Sequence, residues 1–221
     1  ANEFKIPCIG GKVSLYNETP SGPIKPTPLI GVLGLIDKKP LVSQKILSGD
    51  NLVIIGDTKD ELGGSEYFEY IHKFIGGNCP TVDFKESKKN MKSVLDSIKQ
   101  QIPKSVHDCS KGGLAVAVAE LCMTNQIGCK VSLNKVPGEK LTDDRILFSE
   151  SHSRYLLTIN EKNIKKLENI LKKNKVTFQI IGKFGSKKIQ FVHGTKSIID
   201  LDVDKAQKTW FNSLKNMVLH G

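Results

Sequence analysis

Apolar positions change their spacing several times along the chain, and each change marks an element. In residues 11–36, Val13, Leu15 and Tyr16 form a strand-like run, and 29–36 is a continuous apolar run of the buried-strand kind. Between them, Thr19-Pro20-Ser21-Gly22-Pro23 and Pro26-Thr27-Pro28 forbid helix, so this part reads as two strands around a long turn. Leu52-Val53-Ile54-Ile55-Gly56 predicts a second buried strand. Gly63-Gly64-Ser65 opens a helix expected to run through Ile75, with Ser65 as N-cap and Gly76 as the stop. A further helix over 83–101 puts Met91, Val94, Leu95, Ile98 and Ile102 on one face.

Beyond it, Ser105-Val106-His107 reads as a strand that enters the polar turn Ser110-Lys111-Gly112-Gly113, followed by a helix from 114 to about 124. Strands are expected at 129–133, 155–159, 176–181, 189–192 and 198–201, and helices at 143–148, 161–174 and 205–217. Strands and helices interleave, so the class is α/β or α+β, and pattern alone does not separate the two. The chain begins on a strand without an opening element, as a domain cut in its middle would.

A length of 221 residues fits one large domain, or one domain plus part of a second. With 38% hydrophobic and 25% charged residues, the chain can bury a core. No apolar run reaches the length of a membrane span, and the first residues lack the basic head and apolar stretch of a signal peptide. These features predict a soluble, cytoplasmic protein that binds no membrane.

The net charge of +10 raises the question of nucleic acid. Nearly all of it is lysine, however, and Arg145 and Arg154 are the only arginines. Base and phosphate readers lean on the planar arginine fork, so a solvated lysine surface with some attraction for phosphorylated metabolites is the better reading, and no nucleic-acid partner is expected. Cys8, Cys79, Cys109, Cys122 and Cys129 form no C-x-x-C pair, which argues against a zinc ribbon or a disulfide scaffold.

The common nucleotide fingerprints, G-x-x-x-x-G-K-[ST] and G-x-G-x-x-G after a strand, are missing. Four polar segments remain as candidates. In His107-Asp108-Cys109-Ser110-Lys111-Gly112-Gly113, a strand runs into a helix start whose free N–H groups can hold an anion. A tight connection without a ligand explains the same spacing equally well. Adjacent strand residues point to opposite faces, so His107, Asp108 and Cys109 do not make a nucleophile with its base. In Gly10-Gly11-Lys12-Val13-Ser14, Lys12 and Ser14 share one side of an extended strand, where both can reach one phosphate. Phe148-Ser149-Glu150-Ser151-His152-Ser153-Arg154 is a polar loop in which a Glu150–Arg154 ion pair is expected. Glu61-Leu62-Gly63-Gly64-Ser65 reads as a helix start capped by Ser65.

The order of these blocks is more specific than any one of them. G-G-K-V-S-L-Y-N-E-T, P-T-P-L-I-G-V-L-G-L-I, E-L-G-G-S-E-Y, H-D-C-S-K-G-G-L-A-V-A-V-A-E and L-F-S-E-S-H-S-R-Y-L-L-T-I follow one another over nearly the whole chain. The series resembles the second half of the small-type formylglycinamidine ribonucleotide synthases, within the superfamily of aminoimidazole ribonucleotide synthase. The resemblance implies that residues 1–40 are the tail of a second N-type α/β domain and 41–221 a second C-type α/β domain. It implies an aminoimidazole ribonucleotide synthase-like C-terminal fold.

The family's reaction is ATP-dependent amidation of formylglycinamide ribonucleotide to the amidine, in purine biosynthesis, with Mg²⁺. A separate glutaminase subunit supplies the ammonia, and a small accessory subunit assists assembly. By the same resemblance Gly11 matches a glycine that contacts ATP, and Ser14 a serine that contacts the ribonucleotide. Lys12 stands where the family usually has a metal-ligating asparagine. An ammonium has no lone pair for a metal, so Lys12 is expected to replace the metal's charge and touch a phosphate. Asp108, Gly112, Gly113, Glu150 and Ser151 are expected to line a ligand pocket. The family's catalytic histidine has no counterpart here, and this segment alone is expected to be inactive. The rival readings are a degenerate scaffold half that docks partner subunits, and another ATP-using enzyme of the superfamily.

Overall fold

The structure is a computed structural model that describes residues 1–24, 27–36 and 41–220, the last stretch without the side chains at 216, 219 and 220. The chain divides into two compact units, Ala1–Lys39 and Pro40–Gly221.

In the first unit a minimal hairpin pairs β1 (Glu18–Thr19) with β2 (Gly22–Pro23) in antiparallel register. Gly22 at φ +119 makes the turn, and the Thr19 hydroxyl donates to its carbonyl at 3.0 Å. The strands expected at Val13–Tyr16 and over 29–36 are not formed. Leu29, Ile30, Leu33 and Leu35 are exposed, Leu29 at 97%, and the segment has no regular secondary structure. An apolar run becomes a buried strand only when neighbouring backbone takes up its N–H and C=O groups, and no described strand pairs with 29–36.

The second unit carries β3 (Asn51–Ile55), α1 (Glu66–Tyr70), α2 (Phe84–Lys99), β4 (Ser105–Asp108), α3 (Gly113–Asn125), β5 (Gly128–Ser132), α4 (Asp143–Phe148), β6 (Tyr155–Ile159), α5 (Ile164–Lys173), β7 (Phe178–Ser186), β8 (Lys188–His193), β9 (Lys196–Asp202) and α6 (Val203–His220). Its seven strands form one sheet in the order β4-β6-β3-β7-β5-β8-β9. Every neighbouring pair is antiparallel except β5 with β8, which decides the class as α+β.

The continuous apolar run of β3 lies near the middle of the sheet because both of its faces are covered. Leu52 and Ile54 face a core built with Leu114, Val118 and Leu121 of α3, Ile146 and Leu147 of α4, and Val203 of α6. Val53 and Ile55 face a second core with Val94 of α2 and Leu167 and Leu171 of α5.

Three elements depart from expectation for identifiable reasons. Helix α1 stops at Tyr70 rather than Ile75. Lys73 takes a positive φ of 53°, and the chain folds back so that Gly64 N–H donates to the Gly76 carbonyl at 2.9 Å. Helix α2 is capped by Asp83, which accepts from Lys85 and Glu86. Its buried face, however, is Ser87, Asn90, Ser93, Val94 and Ser97, while Met91 and Leu95 are 43% and 49% exposed. The serines are tolerated because Ser93 and Ser97 donate to the carbonyls four residues back, at 2.8 and 2.7 Å. Strand β7 starts later than expected, at Phe178, and continues to Ser186, where it also supports β5.

Candidate functional site

Strand β4 hands the chain to α3 through Cys109-Ser110-Lys111-Gly112, and the loop after α4 crosses this turn. The Cys109 N–H donates to the Arg154 carbonyl at 3.1 Å, which joins the two segments. Gly112 is the N-cap of α3 at φ +76, and Gly113 follows at φ +64. A Cβ on Gly113 would stand 2.5 Å from the Ser149 carbonyl oxygen, so only glycine lets the backbones come this close.

Glu150 occupies the helix start. Its Oε1 accepts from Gly112 N–H at 2.9 Å and from Glu66 N–H, at the first residue of α1, at 3.1 Å. Lys111 closes the arrangement with an ion pair from Nζ to Glu66 Oε1 at 3.2 Å, and this pairing raises the Lys111 pKa. The anion cradle expected at the β4–α3 turn is therefore filled by the protein's own carboxylate.

Arg154 is only 1% exposed. Its Nε donates to the Ser151 carbonyl at 3.1 Å, Nη1 to Thr58 Oγ1 at 3.0 Å, and Nη2 to the Ser149 carbonyl. The expected Glu150–Arg154 ion pair is thus replaced by bonds to neutral oxygens, because the guanidinium is turned inward while Glu150 serves the helix starts. Burial lowers the Arg154 pKa, and nearby Glu61 and Glu150 pull against that shift.

Loop 58–61 runs alongside: Lys59 N–H donates to Ser151 Oγ at 3.0 Å and Glu150 N–H to the Glu61 carbonyl at 3.0 Å. Glu61 Oε1 accepts from Thr81 N–H at 3.0 Å, whereas Oε2 is buried without a partner.

A cleft of about 320 Å³ opens over this frame, lined by Asp108, Ser110, Lys111, Glu150, His152 and Tyr155 among others. Burial, and secondarily Asp108, raise the Tyr155 pKa, so its hydroxyl stays protonated and can donate. Cys109 also borders the cleft, but burial pushes its thiol up to about 11, which makes it a poor nucleophile at neutral pH. The cleft can hydrogen-bond a polar ligand through Lys111, Ser110 and Tyr155. Among the described residues no group of three or more His, Cys, Asp or Glu is placed to hold a metal.

Of the residues singled out from the sequence, Asp108 and Glu150 meet at this cleft. Gly112 and Gly113 form the turn behind it, and Ser151 is buried and committed to Lys59. Gly11, Lys12 and Ser14 belong to the first unit, where they lie exposed in irregular chain. Sequence reasoning assigns no role to Lys111 and Tyr155, although both stand beside the glycines and the arginine of these motifs. The partners of Arg154 differ from the expected ion pair because an inward turn of a guanidinium leaves no trace in residue spacing.

Residues 48–194 match the family described as AIR synthase related protein, C-terminal domain. The chain belongs to this family. As an AIR synthase related C-terminal domain it is similar to longer proteins. It is 39% identical over 226 residues to the phosphoribosylformylglycinamidine synthase subunit PurL of Methanocaldococcus jannaschii, covering 99% of this chain and 30% of that protein. It is 36% identical over 220 residues to the PurL subunit of Thermococcus sibiricus, again covering 99% and 30%. The chain thus spans about 30% of the length of the curated relatives it matches.

Solved structures share the fold. Thermotoga maritima PurL complexed with FGAR superposes with a TM-score of 0.68 at 18% identity, over 75% of this chain and 29% of that one. The HypE–HypF complex gives a TM-score of 0.51 at 19% identity, over 71% and 53%.

Proposed function

We propose that the chain is the C-terminal part of an ATP-dependent carbon–nitrogen ligase. The ligase converts formylglycinamide ribonucleotide to formylglycinamidine ribonucleotide in purine biosynthesis. The observation that carries this reading is the 39% identity to a PurL subunit over 99% of the chain. The ATP and FGAR complexes of Thermotoga maritima PurL agree with it in the ligands they hold. ATP supplies the phosphoryl group that activates the amide oxygen, and ammonia then displaces phosphate to leave the amidine.

In this reading residues 1–40 end one domain and 41–221 form a C-type domain. Gly11 meets ATP, Ser14 meets the ribonucleotide, and the Lys12 ammonium pairs with a phosphate. Asp108, Lys111 and Glu150 shape the cleft of the second unit. The ammonia comes from a glutaminase subunit, with a small accessory subunit in the complex, and the structure of PurLQS from Thermotoga maritima is consistent with such an assembly. The compartment is the cytoplasm, and among the described residues no helix is long and apolar enough to cross a membrane.

Mg²⁺ fits these residues poorly. Lys12 has no lone pair to offer, and among the described residues no acidic cluster converges, so no step is assigned to a metal here. A scaffold role for this half is the second reading, favoured by one observation: Glu150 already fills the helix-start cradle.

The deciding experiment is ammonia-driven, ATP-dependent amidation of formylglycinamide ribonucleotide. This chain alone is assayed beside a chain that also carries the remaining part of a relative's sequence. Turnover by the longer chain only, lost on Ser14→Ala, supports the ligase reading. Turnover indifferent to Gly11, Lys12 and Ser14 substitutions supports the scaffold, and absence of turnover in both well-folded chains overturns the ligase reading.

A further inference from the structure

We propose that the open face of the sheet beside α5 holds a phosphate group between Lys130, Lys183 and Lys135. The site lies outside the β4–α3 cleft and does not depend on the ligase reading.

Cys129 and Val131 of β5 are fully buried beneath α3 and α6, so the alternating Lys130 and Ser132 project from the opposite face. Lys130 stands directly across from Lys183 of β7, and Lys183 across from Asn51 of β3. Cross-strand partners share a face and lie about 5 Å apart at Cβ, and like charges in that position destabilise a sheet. Lys135 ends the short 3-10 helix Leu133–Lys135 that follows β5, and it reaches the same concavity.

That concavity measures about 330 Å³, and no carboxylate is among the residues that line it. Ser132 adds a hydroxyl donor.

Two carboxylates flank this row outside the residues that line the hollow. Asn51 Nδ2 donates to Glu161 Oε2 at 2.8 Å at one end. At the other, Asp200 accepts from Lys188 Nζ at 2.8 Å and from Gln190 Nε2 at 3.0 Å, and Gln190 is the register partner of Lys130 on β8. Elsewhere in this unit lysines meet acids, as in Lys104–Asp50, Lys59–Glu86 and Lys172–Glu168. Lys130, Lys183 and Lys135 form no ion pair among the described residues.

A hollow lined by three lysines and no carboxylate, two of the lysines in a repulsive register pair, suits a compact dianion. Ammonium donors without an arginine fork select charge rather than planar shape, which fits a single phosphate group better than a base or a planar carboxylate.

The test uses the full chain, with isothermal titration and thermal denaturation at matched ionic strength. The probes are inorganic phosphate, ribose 5-phosphate and ATP, and chloride is the control. Lys130→Gln and Lys183→Gln are each expected to weaken phosphate binding about tenfold. Without phosphate, each is expected to melt higher than the parent, because the like-charge pair is relieved. Lys130→Arg keeps the charge and should retain most of the binding, which guards against reading a fold defect as a lost site. Equal affinity for inorganic phosphate and ribose 5-phosphate assigns the site to the phosphate group itself, and tighter ribose 5-phosphate assigns it to a sugar phosphate; both support the proposal. Phosphate binding that survives in the Lys130→Gln/Lys183→Gln double variant overturns it, as does binding that chloride matches or preference for ATP alone.

Discussion

Glu150 and Gly112 are joined by a hydrogen bond of 2.9 Å from the glycine N–H to the carboxylate, and the same oxygen accepts from Glu66 N–H at 3.1 Å. One side chain from the loop after α4 therefore terminates both α1 and α3. Replacing it with alanine leaves two N–H groups at helix starts without their charged acceptor. Glu150→Ala is expected to destabilise the fold by about 2 kcal/mol in urea denaturation. Glu150→Gln keeps an acceptor oxygen and should lose less than half as much. Equal losses for the two would mean that the carboxylate's hydrogen bonds are not what holds the loop.

Gly113 tests the close approach beneath that carboxylate. Its φ of +64 disfavours any L side chain, and an added Cβ would meet Ser149 O at 2.5 Å and Leu147 O at 2.9 Å, both backbone atoms that cannot swing aside. Gly113→Ala should cost ~2 kcal/mol or more in the same assay. Gly194 has a similar φ of +59 but open space around its Cβ position, so Gly194→Ala should cost only about 1 kcal/mol. The difference between the two variants isolates packing from backbone conformation.

Much of this frame could be read from residue order, and the failures share a cause. The strand at 155–159 was placed to the residue because it is one mostly apolar stretch between polar breaks, and the helix at 143–148 also matches to the residue. The Ser65 cap was legible because a cap acts on N–H groups two or three residues away. What spacing does not carry is the identity of a distant partner. The apolar stretch over 29–36 looked like a buried strand but has no described strand to pair with. Periodicity put Met91 and Leu95 on the buried face of α2, whereas the helix packs through serines that bond to its own backbone. Asp108 and Glu150 were both singled out, yet only the crossing of two loops shows that they share a cleft.

Arg154 should not be replaceable by lysine. Its fork spans Thr58, Ser149 and Ser151 from a position 1% exposed, and a single ammonium cannot reach all three oxygens. Arg154→Lys is expected to lose about 3 kcal/mol, and Arg154→Met to be no worse than Arg154→Lys, because an apolar side chain at least removes the buried charge. Thermal denaturation of the two variants side by side checks the order.

The buried thiols set a pH limit on stability at the alkaline end. Burial raises Cys109 from its ordinary value of 9.0 to about 11 and Cys122 to about 12. A group whose folded pKa is raised binds more protons in the folded state, so its contribution is complete below the unfolded value. That contribution is lost as pH rises from about 9 toward the folded values. Stability should therefore fall on titration from pH 8 to pH 11, and the fall should be shallower in Cys109→Ala than in the parent. At neutral pH a thiol reagent should label Cys8 and Cys79, which are exposed, and reach Cys109, Cys122 and Cys129 only on unfolding. Rapid labelling of Cys109 in the folded protein would show instead that the turn before α3 opens in solution, which would expose the Gly112 N–H that Glu150 now holds.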